Sequence, residues 1–209
     1  FNTNQNFANG VAVQTDGKLI VVGYVINGTE SSTAIVRYNM NGTPDSNFAV
    51  NGKLIENLNQ GATKYTCTVV QKDGKIVTGG QTILNDHTAF ALARYNNNGR
   101  LDETFGKGGI QINDFGNSKN IINSIAIQSD GKIIAGGSSN KSLAIARYNT
   151  NGSLDNSFAK DGVNKDIFNF NDYTNSIIIQ PDGKILTAGS VLARFKTNGT
   201  LDSTFNHVG

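Results

Sequence analysis

The sequence predicts an all-β protein, a β-propeller built of four-stranded antiparallel blades, and three observations carry that reading. One short phrase, "QTDGKLIVVGY" from Gln14, returns as "QKDGKIVTGGQ" from Gln71, "QSDGKIIAGGS" from Gln128 and "QPDGKILTAGS" from Gln180. The Asp of each DGK falls at Asp16, Asp73, Asp130 and Asp182, so the period is 57, 57 and 52 residues. Within each period apolar residues alternate as they do in strands, between Asp-Gly and Asn-Gly pairs. Repeats of this length that read as strands rather than helices point to propeller blades.

The third repeat shows the elements in order. "SIAIQ" (124–128) alternates Ile with small or polar residues and reads as the first strand. Asp130-Gly131 follows, two residues tolerant of positive φ, which predicts a tight type I′ hairpin turn. "KIIAGG" is the returning strand. "LAIARY" (143–148) alternates Ala with larger apolar residues, a pattern suited to a sheet packed on both faces. Asn151-Gly152 turns the chain again, and "GVNKDIF" (162–168) is the fourth strand. The repeat cores run over about 10–56, 65–115, 123–168 and 175–209, a single array over residues 1–209. Matching "FNTNQNFANG" to "FGNSKNIINS" sets Phe1 opposite Phe115, the last residue of a fourth strand, and the fourth repeat stops at "STFNHVG" before its own. The expectation is a segment of a longer array, with flanking domains in the same polypeptide.

Charge repeats with the strands. The third-strand Arg and the Asp of "LDxxF" stand eight residues apart each time: Arg37 and Asp45, Arg94 and Asp102, Arg147 and Asp155, Arg194 and Asp202. A catalytic constellation is needed once, so a fourfold pair at fixed spacing reads as structural, the guanidinium bracing the strand-three exit against the following turn. Phe48, Phe105, Phe158 and Phe205, three residues beyond each Asp, read as core plugs between blades.

Length varies in one place. The gap from each of these Phe residues to the next DGK Asp is 25, 25 and 24 residues, whereas from DGK Asp to Arg it is 21, 21, 17 and 12. The variation lies between strands two and three, at 24–32, 81–88 and 138–142. In a four-stranded blade these connections share one face with the links between blades, 57–64 and 116–122, opposite the uniform DGK and Asn-Gly turns. Loops are where specificity is built, so that face is the candidate ligand surface, with Tyr24, Glu30, Lys64, Tyr65, Asp86, His87, Lys119 and Lys141. Phe170 and Tyr173 are further exposed aromatics.

Composition excludes several classes. Net charge is +2 and the 18 Lys and Arg residues are scattered, which gives nucleic acid or an anionic membrane no footprint. No apolar run approaches the ~18 residues of a membrane-spanning helix, so no membrane insertion is expected. Cys67 stands alone in "YTCTVV" and reads as a buried, inert thiol. The two histidines, His87 and His207, lack a nucleophile context, and no spacing favours a carboxylate pair among Glu30, Glu56, Asp86 and Asp114. The "NxNGxLD" stretches resemble part of a calcium loop but lack its carboxylates, and Asn before Gly is a turn device. No catalytic residue, metal site or cofactor is expected.

Taken together, "QxDGKIxxxG", "ALARY", "NxNGxLDxxF" and the trailing "GGI" or "DGV" resemble the bacterial delta-60 repeats of β-propeller proteins. The resemblance spans nearly the whole chain, with "TPDSNF" at Pro44-Asp45 and the shortened fourth repeat as departures. It implies a non-catalytic binding, adhesion or spacer module of a secreted or cell-surface protein, with a protein or glycan as partner. A lectin-like propeller and an accessory domain of a hydrolase are the alternatives.

Overall fold

In a computed structural model, which describes residues 5–28, 30–58, 62–84, 86–116, 119–165 and 172–205, the chain folds into four successive antiparallel sheets. Blade 1 holds β1 (Gln5–Val13), β2 (Leu19–Asn27), β3 (Glu30–Tyr38) and β4 (Lys53–Glu56). Blade 2 holds β5 (Lys64–Val70), β6 (Ile76–Leu84), β7 (His87–Tyr95) and β8 (Ile110–Asn113). Blade 3 holds β9 (Asn120–Ile127), β10 (Ile133–Ser139), β11 (Ser142–Tyr148) and β12 (Val163–Lys165). Blade 4 has three strands among the described residues: β13 (Thr174–Ile179), β14 (Ile185–Gly189) and β15 (Leu192–Phe195). In each sheet the strands lie in chain order, and β1, β5, β9 and β13 pack side by side along the inner edge. No helix occurs among the described residues. Phe1, Phe170, His207 and the end of the 162–168 strand lie outside the described residues.

The DGK turns differ from the type I′ expectation. In the DGK turns only the Gly has positive φ (Gly17 81°, Gly74 84°, Gly131 84°, Gly183 80°). The Gly N–H donates back to the Gln carbonyl, and the Asp carboxylate accepts the Lys N–H two residues on. That is a type I turn closed by a left-handed glycine, stapled by the Asp side chain. The Asn-Gly turns repeat it, with Asn41, Asn98, Asn151 and Asn198 as staple. These carbonyls are therefore spent inside the turn, as the turn reading of "NxNG" requires.

The second glycine of "GG" answers a different demand. Each inner strand carries a bulge, at Asn9, Thr66, Asn123 and Asn175. The bulge drives a carbonyl of the inner strand into the second strand. A Cβ on Gly23, Gly80, Gly137 or Gly189 would lie 1.8–2.0 Å from that oxygen. Only glycine fits.

The core lies between blades rather than within them. One cluster joins Ile20, Val22, Ile35 and Phe48 of blade 1 to Tyr65, Ile76, Ala93 and Tyr95 of blade 2. The next joins Val77, Leu92 and Phe105 to Ile125, Ile133 and Tyr148. The third joins Ile134, Ile145 and Phe158 to Ile177, Ile185 and Phe195. The small-large alternation of "ALARY" follows: the large residue faces the next blade and Ala lets the previous one approach.

Candidate functional site

Two faces of the fold carry side-chain chemistry, and they are built differently. On the turn face each repeat makes the same charged cluster. Arg37, Arg94 and Arg147 donate from Nε to Asp45, Asp102 and Asp155 at 2.8, 2.7 and 2.7 Å, and Arg194 donates to Asp202 at 2.9 Å. The DGK lysine, which the repeat pattern explains only as turn chemistry, is the second cation on the same oxygen: Lys18, Lys75, Lys132 and Lys184 stand 2.9, 2.8, 2.7 and 3.3 Å from it. Each guanidinium also lies 4.6–4.9 Å from the ring centroid of the following Phe.

The Arg does more than brace its own turn. Its Nη1 donates across the junction to a main-chain carbonyl of the next blade: Arg37 to Asn97, Arg94 to Thr150, Arg147 to Thr197, at 2.5, 2.5 and 2.7 Å. A second bridge runs along the inner edge, where bulge residues Asn9, Thr66 and Asn123 donate to the carbonyls of Tyr65, Ile122 and Thr174 in the next blade. The bulge asparagines are a signal that sequence reasoning missed, because a bulge is invisible in a strand pattern.

The electrostatics follow from this geometry. The Lys18 hydrogen bond is the main cause holding the Asp45 carboxyl below its ordinary range, against burial that would raise it. Burial acts on Asp102 and Asp155 in the same direction, but Lys75 with Thr104, and Lys132 with Ser157, outweigh it and hold both carboxyls low. For Asp202 the Thr204 hydroxyl leads. All four carboxylates are buried, each with an Arg and a Lys on one oxygen.

The opposite face is made by the β2–β3, β6–β7, β10–β11 and β14–β15 hairpins. Their variable length is in the strands, not in irregular loops: each hairpin closes on two residues, while β2, β6, β10 and β14 hold nine, nine, seven and five. At ~3.3 Å per residue the hairpins of blades 1 and 2 overtop that of blade 4 by about 13 Å. The face is a staircase.

On it the expected residues divide into two groups. Tyr24 stacks on Phe7 with ring centroids 4.6 Å apart, and the Lys64 ammonium sits 5.0 Å over the Tyr24 ring. At the junction of blades 2 and 3, His87 Nε2 stands 3.0 Å from Asp114 Oδ1, Lys119 bridges to Thr88, and the Lys119 carbonyl accepts the N–H of Asn140 beside Lys141. Asp86 is exposed next to His87 with φ 68°. Glu30 stands at the tip of the blade 1 hairpin, paired with Asn27 across the ladder. Tyr65 is a correction. It is fully buried, because its side chain enters the junction of blades 1 and 2, where its hydroxyl lies 2.6 Å from that of Tyr95. Tyr95 in turn donates to Glu56 Oε1 at 2.5 Å, and burial raises the Glu56 carboxyl above its ordinary range. Cys67 packs against the cluster of blades 2 and 3, and burial pushes its thiol up to about 12. Among the described residues no group of three or more His, Cys, Asp or Glu is placed to hold a metal ion.

The family model described as a domain of unknown function (DUF5122) beta-propeller matches residues 14–48, 71–105, 128–158 and 180–205, more than half of the chain. The chain belongs to the DUF5122 β-propeller family. No curated protein sequence matches it. Among solved structures it is similar to a catalytically inactive virginiamycin B lyase from Staphylococcus aureus with quinupristin (TM-score 0.58, 16% identity, 97% of this chain and 56% of that one). It is also similar to a gluconolactonase from Xanthomonas campestris (TM-score 0.56, 15% identity, 93% and 60%). PorZ, a surface component of the type-IX secretion system of Porphyromonas gingivalis, matches over 96% of this chain and 27% of its own (TM-score 0.52, 10% identity). At these identities the likeness shows the propeller fold alone, and the chain spans little more than half the length of the lyase and the lactonase. No helix among the described residues is long and apolar enough to cross a membrane.

Proposed function

We propose that this DUF5122 propeller is a non-catalytic binding module of a bacterial secreted or cell-surface protein, and that it takes a protein partner on its hairpin face. The observation that carries this is the contrast in how charge is used. On the turn face the same Lys, Asp and Arg occur four times and are paired with one another inside each repeat. On the hairpin face the charged and aromatic groups occur once each, at different heights, which is the kind of surface that discriminates a partner. The residues proposed to contact it are Tyr24, Glu30, Lys64, Asp86, His87, Lys119 and Lys141. An extracellular location agrees with the delta-60 resemblance and with the surface role of PorZ. A glycan is the second reading, favoured by the Phe7–Tyr24 stack, whose half-exposed rings form a small aromatic platform.

The test is a binding screen of the immobilised chain against the secreted protein fraction of its source and against a glycan array. It is repeated with residues 24–32 and 81–88 shortened to the length of the blade 4 hairpin. The expected result is a protein ligand lost on shortening and retained when Lys72 on the turn face is changed to Ala. Undiminished binding by a folded, doubly shortened chain would refute the assignment, and a hit confined to the glycan array would select the lectin reading.

A further inference from the structure

The turn face repeats its charged cluster, but the seams beneath it, where the trailing face of one blade meets the leading face of the next, are closed differently. Between blades 1 and 2 the Asn97 amide bridges the seam. Gln14 Nε2 donates to Asn97 Oδ1 at 2.9 Å, and Arg37 Nη1 donates to the same oxygen at 2.8 Å. Between blades 2 and 3 the residue equivalent to Asn97 is Thr150. Thr150 is too short for that bridge, and its methyl lies against its own turn, 3.1 Å from where a Cβ on Gly131 would sit. The space is left open as a cavity of about 500 Å³, within the ~300–1,000 Å³ of small-molecule sites.

Two features give this cavity a ligand preference. The first is unmet hydrogen bonding. Gln71 and Gln128 line it, one from each blade, and the Oε1 of each is buried without a hydrogen-bond partner. Buried carbonyl oxygens call for donors. Gln14 and Gln180 have the same orphaned oxygen, so the second feature, charge, singles this seam out. The residue after the Gln is Thr15, Lys72, Ser129 or Pro181. Lys72 lines the cavity, is exposed, and has no ion-pair or hydrogen-bond partner among the described residues. Lys75 and Arg94 beside it are both held by Asp102. A smaller cavity of about 360 Å³ lies between blades 3 and 4 against Gln128 and Gln180, with Ser129 where Lys72 would be and no cation among its described lining residues.

We propose that the seam between blades 2 and 3 binds a small hydroxylated carboxylate, an acidic sugar of the uronic-acid class. Its hydroxyls donate to the Gln71 and Gln128 oxygens, its carboxylate pairs with Lys72, and the C–H face of its ring lies on the half-buried Ile127. A neutral sugar leaves Lys72 without an anion. An inorganic anion such as sulfate brings no donor for the two oxygens. The site lies on the opposite face from the partner proposed above and is independent of that reading.

The probes are galacturonic and glucuronic acids, galactose, sulfate and a linear trimer of galacturonic acid, each titrated against the whole chain by NMR. The expected result is that at least one of the two acids binds about fivefold more tightly than galactose, and that sulfate at the same concentration does not displace it. Lys72→Met, at an exposed position, is expected to erase that preference and leave the galactose affinity unchanged. Thr150→Asn rebuilds the Asn97 bridge in the open seam. It is expected to abolish binding of both kinds of sugar with the melting temperature unchanged or raised, which separates a filled cavity from a damaged fold. Tighter binding of the trimer identifies a polysaccharide as the source and equal binding a free acid, and either keeps the site. A glycan-array hit lost with Lys72→Met and retained with Tyr24→Ala belongs to this cavity and not to the hairpin face. A folded chain that binds neither acid, sulfate that displaces them, or a Thr150→Asn variant that binds like the wild type overturns the proposal.

Discussion

Blades 3 and 4 start from the same words and end in different surroundings. "LAIARY" and "VLARF" place Arg147 and Arg194 alike, each on its own Asp and over its own Phe. Arg147 then reaches Thr197 in the next blade and Phe158 is fully buried. Arg194 keeps only partners within its blade among the described residues, Asp202 and the Thr204 hydroxyl, and its side chain is 19% exposed against 10% for Arg147. The half of the device inside the blade forms unaided; burial comes from the neighbour. The repeated residues thus encode the junction more than the blade.

The sharpest way to break this comparison is to delete each Arg. Arg147→Ala leaves buried Asp155 with Lys132 as its one cation and also removes the Thr197 bond and the contact with Phe158, and is expected to lower unfolding free energy by about 3–5 kcal/mol in urea titrations. Arg194→Ala, at the uncovered end, is expected to cost a small fraction of that. Equal losses would mean that the pair works within its blade alone.

Gly137→Ala comes next. A Cβ there meets the Ile121 carbonyl at 1.9 Å, so backbone must move, at a cost of about 1–3 kcal/mol or more. Gly42→Ala is its counterpart at the uncovered leading face. It pays only for positive φ, about 1–2 kcal/mol, with no atom within 4 Å of the new Cβ. The same change at Gly152, with the same φ penalty and the Phe105 ring at 3.0 Å, is expected to exceed Gly42→Ala. Thermal melts of the three variants check the order.

Acid tests the clusters together. Asp45, Asp102, Asp155 and Asp202 have folded pKa values below the unfolded value near 3.9, so their contribution is present above about pH 4 and is lost as pH falls towards the folded values. Chain stability measured from pH 6 downwards should fall mainly below pH 4. Glu56 has the opposite sign, its folded pKa being raised. Its contribution is full below about pH 4.3 and is lost as pH rises through the folded value. Glu56→Gln is therefore expected to gain a little stability at pH 7 relative to wild type and none at pH 4, the smallest effect of the set.

Much of the fold is legible in the sequence, and the reason is repetition: four copies of one phrase reveal strand order, turn positions and the Arg–Asp spacing without any partner being known. What stays hidden depends on relations between copies. Arg37 and Asn97 lie 60 residues apart, and no pattern within one repeat announces their bond. The bulge at Asn123 is one residue that a period-2 reading absorbs as noise. Tyr65 looks like a surface aromatic at the edge of a variable link, yet its side chain enters a junction. Tyr24 and Lys64 are each visible in the sequence, while their stack with Phe7 is a property of the paired strands. The hairpin staircase is legible as length but not as shape, since a gap of 21 or 12 residues does not say that the surplus is strand.

The inner-edge bulge has one more consequence. At Asn9, Thr66 and Asn123 its side chain points forward, from one unit to its successor, so the three interfaces in the row are cut to one template. A gene that gained or lost a whole unit would meet ready-made seams on both sides and would need no new complementary surface. Unit number is then constrained by the angle through which the row must turn to meet itself, and not by the chemistry of any one seam. Duplication and deletion become mild events for such a protein, and the hairpin of each new unit is free to diverge while its seams stay fixed.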